Sequence, residues 1–303
     1  MKTGPQVKMH EDEIHLSDEV ARQLIGGRFP EWSQEPTRRI ASSGTVNTIF
    51  RIGEGFAARF PLRPADPTST RQVLEEGALA SAEFIRCSPF PAPVPIAIGR
   101  PGLGYPLPWS VQTWLPGTIA MDADSSASAE CARQLAALIT ALRQADTGGR
   151  KFSGFGRGGD LRDHDEWVET CIRKSATMFG ARQLEEMWNY FRALPRTSPD
   201  VMTHGDLTPL NVLVDRGRLV GVLDCGGFGP ADPALDVIAG WHLLADGPRA
   251  VFRAELQCDD LEWERSKAWA FQQALGAVWY YVGSNLNMHT MGHRTISRII
   301  ASR

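Results

Sequence analysis

Three oxygen-bearing side chains surround one predicted hairpin in the second half of the chain. Residues 211 to 214 (NVLV) and 218 to 223 (RLVGVL) are apolar and β-branched, and a D-R-G turn joins them, which predicts a β-hairpin. Asn211 precedes the turn and Asp224 follows it, so folding of the hairpin brings both to its open end. Asp206 lies in the loop that enters the same end. The sequence therefore predicts that the three side chains converge.

The chemistry of this cluster suits phosphoryl transfer. One amide and one carboxylate, completed by phosphate oxygens and water, are suitable ligands for a hard octahedral cation such as Mg²⁺. A second carboxylate at hydroxyl distance suits a base that orients and deprotonates an attacking alcohol. Phosphoryl transfer needs this arrangement because its catalysis is mostly positioning and neutralisation of charge.

The same stretch carries a family resemblance. The motif H-G-D-L-x-x-x-N at 204 to 211, the hairpin, Asp224 and then G-P-A-D-P-A-x-D at 229 to 236 together resemble the aminoglycoside and macrolide phosphotransferases, which are relatives of the protein kinases. The resemblance implies that Asp206 is the catalytic base and that Asn211 and Asp224 are Mg²⁺ ligands. It also implies ATP or GTP as the phosphate donor and a small-molecule hydroxyl as the acceptor.

Other residues of this stretch have expected structural roles. We expect His204 to be a packed, hydrogen-bonded anchor of the loop, and Asp232 to be a helix N-cap with proline at the first helical position. The resemblance implies that Asp236 braces the catalytic loop. Cys225 stands where the family usually has an aromatic residue, and we interpret it as a small apolar filler.

The first half of the chain is expected to bind the nucleotide. β-rich segments flank a Gly-Glu-Gly loop at 53 to 55, which predicts a second hairpin. Arg59, on its second strand, occupies the place where the family has lysine or arginine, and arginine can hold phosphate oxygens in bidentate fashion. Its carboxylate partner should come from the predicted helix at 68 to 86, where Glu76 is preferred and Glu75 is nearly as suitable. An exposed strand arginine is the alternative interpretation of Arg59.

Two further segments complete the expected nucleotide site. The stretch S-S-G-T-V-N resembles the family's phosphate-covering loop and contributes Gly44, Thr45 and Asn47. The strand in Y-P-L-P-W-S-V-Q-T-W-L-P-G resembles the hinge, whose main-chain groups around Gln112 to Trp114 should pair with the purine edge. Backbone contacts leave no side-chain signature, so both ATP and GTP remain open.

The residues that contact the acceptor are not specified by a motif. Acidic side chains that would attract a polycationic aminoglycoside occur in two clusters, although solvated helix faces are the commoner explanation: Asp160, Asp163, Asp165, Glu166 and Glu169, and Asp259, Asp260, Glu262 and Glu264. An aromatic stretch suits a hydrophobic macrolide, but its helical spacing favours a core position for most of it: Trp269, Phe271, Trp279, Tyr280 and Tyr281.

Length and composition agree with a two-lobed enzyme. The 303 residues, 43% of them hydrophobic, favour two domains, and the resemblance implies an α+β, protein-kinase-like fold with a β-rich lobe at 1–115 and a mostly helical lobe at 116–303. A net charge of −3 argues against nucleic acid as a partner. Five scattered cysteines, a polar start of the chain and the lack of a run of roughly 18 apolar residues favour a cytoplasmic protein without a membrane segment.

The favoured hypothesis is a kinase that phosphorylates an antibiotic hydroxyl. A metabolic kinase for a sugar, a choline-like compound or an amino alcohol shares the same motif and is the alternative among enzymes. A nucleotide-binding pseudokinase is a rival from another class, although Asp206, Asn211 and Asp224 together count against it. Oligomeric state is left open.

Overall fold

An antiparallel sheet forms the first part of the chain. The computed structural model describes residues 12–40, 44, 46–123, 125–154 and 156–302. The first elements are α1 (Asp18–Arg28), β1 (Thr37–Arg39), β2 (Asn47–Ile52), β3 (Phe56–Pro61), α2 (Pro67–Cys87), β4 (Pro95–Gly99) and β5 (Trp109–Thr113). The strands form one sheet in the order β1-β2-β3-β5-β4. Neighbouring strands are antiparallel throughout, and Arg59 pairs with Ile49 of β2 and Ser110 of β5.

The second part of the chain is mostly helical. Its elements are β6 (Thr118–Ile119), α3 (Ala129–Arg143), α4 (Asp165–Phe179), α5 (Ala181–Phe191), β7 (Val201–Thr203), β8 (Val212–Asp215), β9 (Arg218–Val222), β10 (Gly229–Ala231), α6 (Ile238–Leu243), α7 (Asp246–Glu255), α8 (Asp260–Tyr280) and α9 (Leu286–Ala301). β8 and β9 form the predicted hairpin, with β6 alongside β8, and β7 pairs with β10. The α+β class is confirmed.

Helix boundaries follow from local capping in several places. Asp66 accepts a hydrogen bond from the Ser69 N–H and Pro67 is the first residue of α2, close to the predicted start at 68. Ser128 caps α3 and Asp259 caps α8 in the same way. These side chains satisfy N–H groups that have no partner within the helix, so the sequence alone marks the starts.

The segment that follows the predicted N-cap Asp232 does not form one continuous helix. The segment forms a short 3-10 turn at Pro233–Leu235 and then α6, and Leu244 is extended at φ −97° and ψ 141° before α7 begins. Asp232 caps the 3-10 turn as predicted, with its side chain accepting from the Ala234 N–H. Between the 3-10 turn and α6, the Asp236 carboxylate accepts hydrogen bonds from the loop that follows β7.

Two clusters of buried apolar side chains hold these elements together. In the first, Phe60 of β3 stacks on Trp109 of β5, with ring centroids 4.7 Å apart. The second surrounds α3 and α8 and includes Trp269 and Phe271, both fully buried, as their helical spacing predicted. Phe84 of α2 belongs to the second cluster, so this helix connects the sheet to the helical part. A lobe boundary near residue 115 remains a prediction.

Candidate active site

The catalytic loop between β7 and β8 is fixed by buried hydrogen bonds. The Asp236 carboxylate accepts from the N–H groups of His204 (2.7 Å) and Gly205 (2.8 Å). The Nδ1 of His204 accepts from the Asp206 N–H at 3.2 Å, so Nε2 carries the proton and donates to the Leu223 carbonyl oxygen at 2.8 Å. His204 is thus the packed anchor that the sequence predicted, and Asp236 braces the loop.

Asp206 is held by three side chains. Its Oδ1 accepts from Arg157 Nη2 and from Gln273 Nε2, each at 2.7 Å. Its Oδ2 accepts from Asn211 Nδ2 at 2.8 Å. Since the Asn211 amide nitrogen faces Asp206, its Oδ1 faces away and is available to a cation. The structure therefore joins Asp206 to Asn211 as predicted, and it adds Arg157 and Gln273.

Asp224 follows β9 in an unusual backbone conformation. Its φ is +58°, in the left-handed region that aspartate tolerates better than most residues. Arg59 Nη2 donates to its Oδ1 at 2.8 Å, which leaves Oδ2 for another partner. Surrounding protein atoms desolvate the carboxylate and oppose its ionisation, but the charge and hydrogen bond of Arg59 prevail and hold the pKa of Asp224 below its ordinary value. Asp224 therefore stays ionised at neutral pH.

The expected pair between Arg59 and Glu76 is absent from the described part of the chain. Arg59 contacts Asp224 and, at 3.5 Å, Gln112 Oε1, whereas Glu76 Oε1 accepts from Gln72 Nε2 at 2.8 Å. Glu75 is within 3.6 Å of Arg71 in the same helix. Neither glutamate pairs with Arg59 because of the way α2 packs, close to the turn after Asp224.

Most of the predicted site residues line one cavity of about 450 Å³ between the sheet and the β8–β9 hairpin: Gly44, Asn47, Arg59, Gln112, Trp114, Asp206, Asn211 and Asp224. Thr45 lies outside the described residues. Glu76 lines a separate cavity of about 290 Å³, together with Arg157 and Gly205. The structure thus brings together the predicted base, the predicted metal ligands and Arg59, and places Glu76 apart from them.

Apolar side chains from both parts of the chain line the larger cavity. Ile49 and Ala57 belong to the sheet, and Leu213 and Leu223 belong to the hairpin region. Apolar side chains of this kind suit a flat aromatic ring, because they remove its faces from water.

The hinge differs from the expectation in its main-chain hydrogen bonds. The Thr113 N–H donates to the Val94 carbonyl oxygen (2.9 Å) and the Trp114 N–H to that of Gly55 (2.7 Å). Neither N–H is therefore available to a purine edge. Within the described residues the next N–H, that of Leu115, makes no main-chain hydrogen bond, and Leu115 lines the cavity.

The oxygen donors on the larger cavity are suited to Mg²⁺. Among the described residues, no group of three or more histidine, cysteine, aspartate or glutamate side chains is placed to hold a metal ion by itself. Asn211 Oδ1 and the Asp224 carboxylate are hard oxygen donors on the same cavity, which matches the way Mg²⁺ binds through one or two protein oxygens and the phosphates of its nucleotide. The residues present fit Mg²⁺.

The acidic clusters do not line the cavity that contains Asp206. Asp165 accepts from Arg192 and Trp188, Glu262 pairs with Arg143, and Glu264 pairs with Lys267. These carboxylates are therefore used within the fold, as solvated or paired faces. Asp122 is the additional carboxylate on the cavity wall, and sequence reasoning missed it.

Arg157 and Gln273 were also missed, and no local signal marks them. Arg157 lies in a glycine-rich segment and Gln273 in the middle of α8, and both reach Asp206 only through tertiary packing. Cys225, in contrast, behaves as expected: it is buried, and burial raises the pKa of its thiol, which therefore stays protonated.

Comparison with known proteins agrees with this geometry. The model of the phosphotransferase enzyme family, APH, matches residues 37–269. The chain belongs to this family. The GDP complex of wild-type aminoglycoside 2'-phosphotransferase-IIIa has a similar fold, with a TM-score of 0.71 and 15% identity over 95% of this chain and 99% of that chain. For macrolide 2'-phosphotransferase MphH from Brachybacterium faecium the TM-score is 0.62, with 18% identity over 91% of this chain and 98% of that chain.

Curated relatives match over a shorter stretch. An aminoglycoside 3'-phosphotransferase of Escherichia coli is 38% identical over 64 residues, which are 21% of this chain and 24% of that protein. The kinase-like α+β fold and the family are thus established. In the part of the chain that the structure describes, each helix is too short or too polar to cross a membrane.

Proposed function

We propose that the protein transfers the γ-phosphoryl group of ATP or GTP to a hydroxyl group of an antibiotic, an aminoglycoside or a macrolide, and so inactivates it. The observation that carries this proposal is the convergence of Asp206, Asn211, Asp224 and Arg59 on one cavity. The names of the similar aminoglycoside and macrolide enzymes support the choice of acceptor.

The nucleotide would occupy the larger cavity. Its purine would lie between the apolar side chains of the sheet and those of the hairpin region, with the free N–H of Leu115 opposite its edge. Arg59 is placed to bind phosphate oxygens, because its guanidinium already lies beside Asp224 in the same cavity. Gly44 and Asn47 border the cavity where a loop would cover the phosphates.

Mg²⁺ would be held by Asn211 Oδ1 and the Asp224 carboxylate. When bound there, it would neutralise charge on the phosphates of the nucleotide. Asp224 is suited to this role because Arg59 keeps it ionised, and Asn211 because its amide nitrogen is committed to Asp206, which orients the oxygen away from that carboxylate.

Asp206 would act on the acceptor. Its carboxylate would accept the hydroxyl proton as the hydroxyl oxygen forms a bond to the γ-phosphorus and the bond from that phosphorus to the bridging oxygen breaks. The products are the phosphorylated acceptor and the nucleoside diphosphate. Because Arg157, Gln273 and Asn211 fix the carboxylate, it is positioned before the acceptor arrives, which is where most of the rate gain of such enzymes originates.

The test is phosphate transfer from labelled ATP and GTP, with Mg²⁺, to a panel of aminoglycosides, macrolides and metabolic alcohols. We expect a labelled antibiotic with the wild-type protein and a loss of about 100- to 10,000-fold in kcat with Asp206→Ala. Asp206→Asn is the matched control, because it keeps the shape of the side chain and should keep nucleotide binding.

The outcomes separate the alternatives. Labelling of a metabolic alcohol alone would replace the antibiotic by a metabolic acceptor. Nucleotide binding without transfer to any acceptor would favour a regulatory pseudokinase, and full activity of Asp206→Ala would contradict the assignment of the base.

A further inference from the structure

A line of hydrogen bonds runs from Asp206 into the interior of the helical part. Gln273 of α8 donates from Nε2 to Asp206 Oδ1 at 2.7 Å. Gln273 Oε1 lies 3.2 Å from His242 Nε2, and His242 Nδ1 lies 2.9 Å from Thr295 Oγ1. His242 and Thr295, on α6 and α9, are buried. Gln273 thus connects Asp206 to buried side chains of α6 and α9.

The direction of every bond in this line can be assigned. An ionised carboxylate only accepts, so the amide nitrogen of Gln273 faces Asp206 and its oxygen faces His242. His242 Nε2 must therefore carry a proton. Burial lowers the pKa of His242 to about 4, so the ring is neutral at neutral pH and Nδ1 is an acceptor. The Thr295 hydroxyl then donates to Nδ1, and all donors point towards Asp206.

The lone pairs of Asp206 are unequally occupied. A carboxylate oxygen has two lone pairs in its plane, and those of Oδ1 are matched by two donors, Arg157 and Gln273. Among the residues that the structure describes, Oδ2 has one side-chain donor, Asn211. One lone pair of Oδ2 is therefore the acceptor position left for a substrate hydroxyl.

We propose that Gln273 is a positioning residue for Asp206, that His242 and Thr295 fix the orientation of its amide, and that Oδ2 of Asp206 is the atom that receives the acceptor proton. This inference rests on the proposed function, because it concerns how the base is oriented for that reaction. His242 and Thr295 act only through Gln273 and touch no substrate.

The physical role follows from what Gln273 prevents. Without its donor, the Asp206 carboxylate can rotate about its χ2 bond, and a terminal bond between sp³ and sp² carbons has a broad rotational well. Oδ2 would then spend less time in line with the hydroxyl, and a misplacement of about 1 Å can cost on the order of 100-fold in rate. Binding of nucleotide does not depend on this orientation and should not change.

The activity test uses isosteric pairs. Gln273→Met keeps the length of the side chain without the amide, and we expect kcat to fall about 10- to 100-fold with nucleotide Kd unchanged. His242→Gln keeps a donor near the Nε2 position, whereas His242→Asn does not, so His242→Gln should retain the higher kcat. Likewise Thr295→Ser should retain more activity than Thr295→Val, which keeps the shape and loses the hydroxyl.

A second measurement does not require an acceptor. In ¹⁵N-histidine NMR spectra, assigned with His242→Gln, we expect the His242 ring to be neutral and protonated at Nε2, and its Nε2 resonance to shift in Gln273→Met. If the wild-type protein phosphorylates no acceptor, the proposed function fails. The spectrum still shows, independently of that result, whether the hydrogen bonds of His242 are arranged as inferred.

Two results would overturn the inference. One is a His242 ring protonated at Nδ1 alone. The other is a Gln273→Met variant whose kcat stays within about 2-fold of wild type, since the donor from Gln273 would then have no effect on the base. If kcat falls equally in His242→Gln and His242→Asn, His242 is excluded from the line of hydrogen bonds.

Discussion

Acidification tests the environment of His242 through protein stability. The ring is buried, and its pKa falls from the ordinary 6.5 to about 4, mainly because burial disfavours the charged form and also because of the positive charges of Arg157 and Arg298. The Gln273 hydrogen bond and the charge of Asp206 act in the opposite direction. Between pH 6.5 and 4 the unfolded chain therefore binds a proton at His242 that the folded chain does not bind.

The sign and size of the effect follow from linkage. Because the unfolded state binds more protons in this window, the free energy of unfolding falls as the pH falls. The contribution of His242 is complete above pH 6.5, decreases by about 2 kcal/mol between pH 7 and pH 5, and reaches a loss of about 3 kcal/mol at pH 4.

The assay is urea unfolding followed by tryptophan fluorescence at pH 7, 6 and 5. Other groups also titrate, so the quantity to compare is the difference between wild type and His242→Gln, in which this contribution is removed. We expect the wild type to lose about 2 kcal/mol more than the variant between pH 7 and 5. Replacement of the exposed His15 by glutamine is the matched control. The reasoning would be refuted if the difference in unfolding free energy between wild type and His242→Gln were the same at pH 7 and pH 5.

Two further predictions concern charged pairs. The side chains of Asp232 and Arg265 are 3% and 5% exposed and form an ion pair, so Asp232→Ala should cost about 3–5 kcal/mol because it leaves the buried charge of Arg265 without its counter-ion. Adding Arg265→Met should recover part of this loss in chemical denaturation, and a double variant less stable than Asp232→Ala would contradict the argument. Arg59→Met should weaken GDP or ADP binding about 10- to 100-fold in calorimetry, and Arg59→Lys less, since a charged hydrogen bond contributes about 1.5–3 kcal/mol. Unchanged affinity in Arg59→Met would remove Arg59 from the nucleotide site.

The parts of the site that the sequence predicted are those set by short-range geometry. Asn211 and Asp224 meet because a single tight turn reverses the chain between them, and the apolar residues of β8 and β9 fix which faces are buried. The start of α2 could be predicted for the same reason, because Asp66 and Pro67 act on the adjacent turn. The β4 strand could not be predicted in this way, since its prolines are tolerated at the edge of a sheet but do not predict one.

The position of Glu76 could not be predicted from short-range geometry. A pair with Arg59 needs a particular rotation of α2 relative to the sheet, and that rotation is set by contacts far away in sequence. Gly77 packs beside the main chain of Gly226, and a Cβ added to Gly77 would lie in van der Waals contact, 3.7 Å from the Gly226 Cα atom. This contact places α2 beside the turn after Asp224, and Glu76 then borders the smaller cavity with Arg157. A one-residue uncertainty in the sequence is one-quarter of a helical turn, enough to change the face of the helix.

The arrangement of charges around Asp206 also depends on contacts between residues that are far apart in sequence. Several carboxylates of the acidic clusters that stand out in the sequence pair with arginine or lysine side chains, as Glu262 does with Arg143. Two charged groups that sequence reasoning missed, Arg157 beside Asp206 and Asp122 on its cavity, lie on different segments of the chain. A cationic group on an acceptor would meet both an attractive carboxylate and a repulsive guanidinium within this region. Under the proposed function, we therefore expect acceptor selection to depend on how tertiary packing arranges single charges around Asp206, which charge runs in the sequence do not predict.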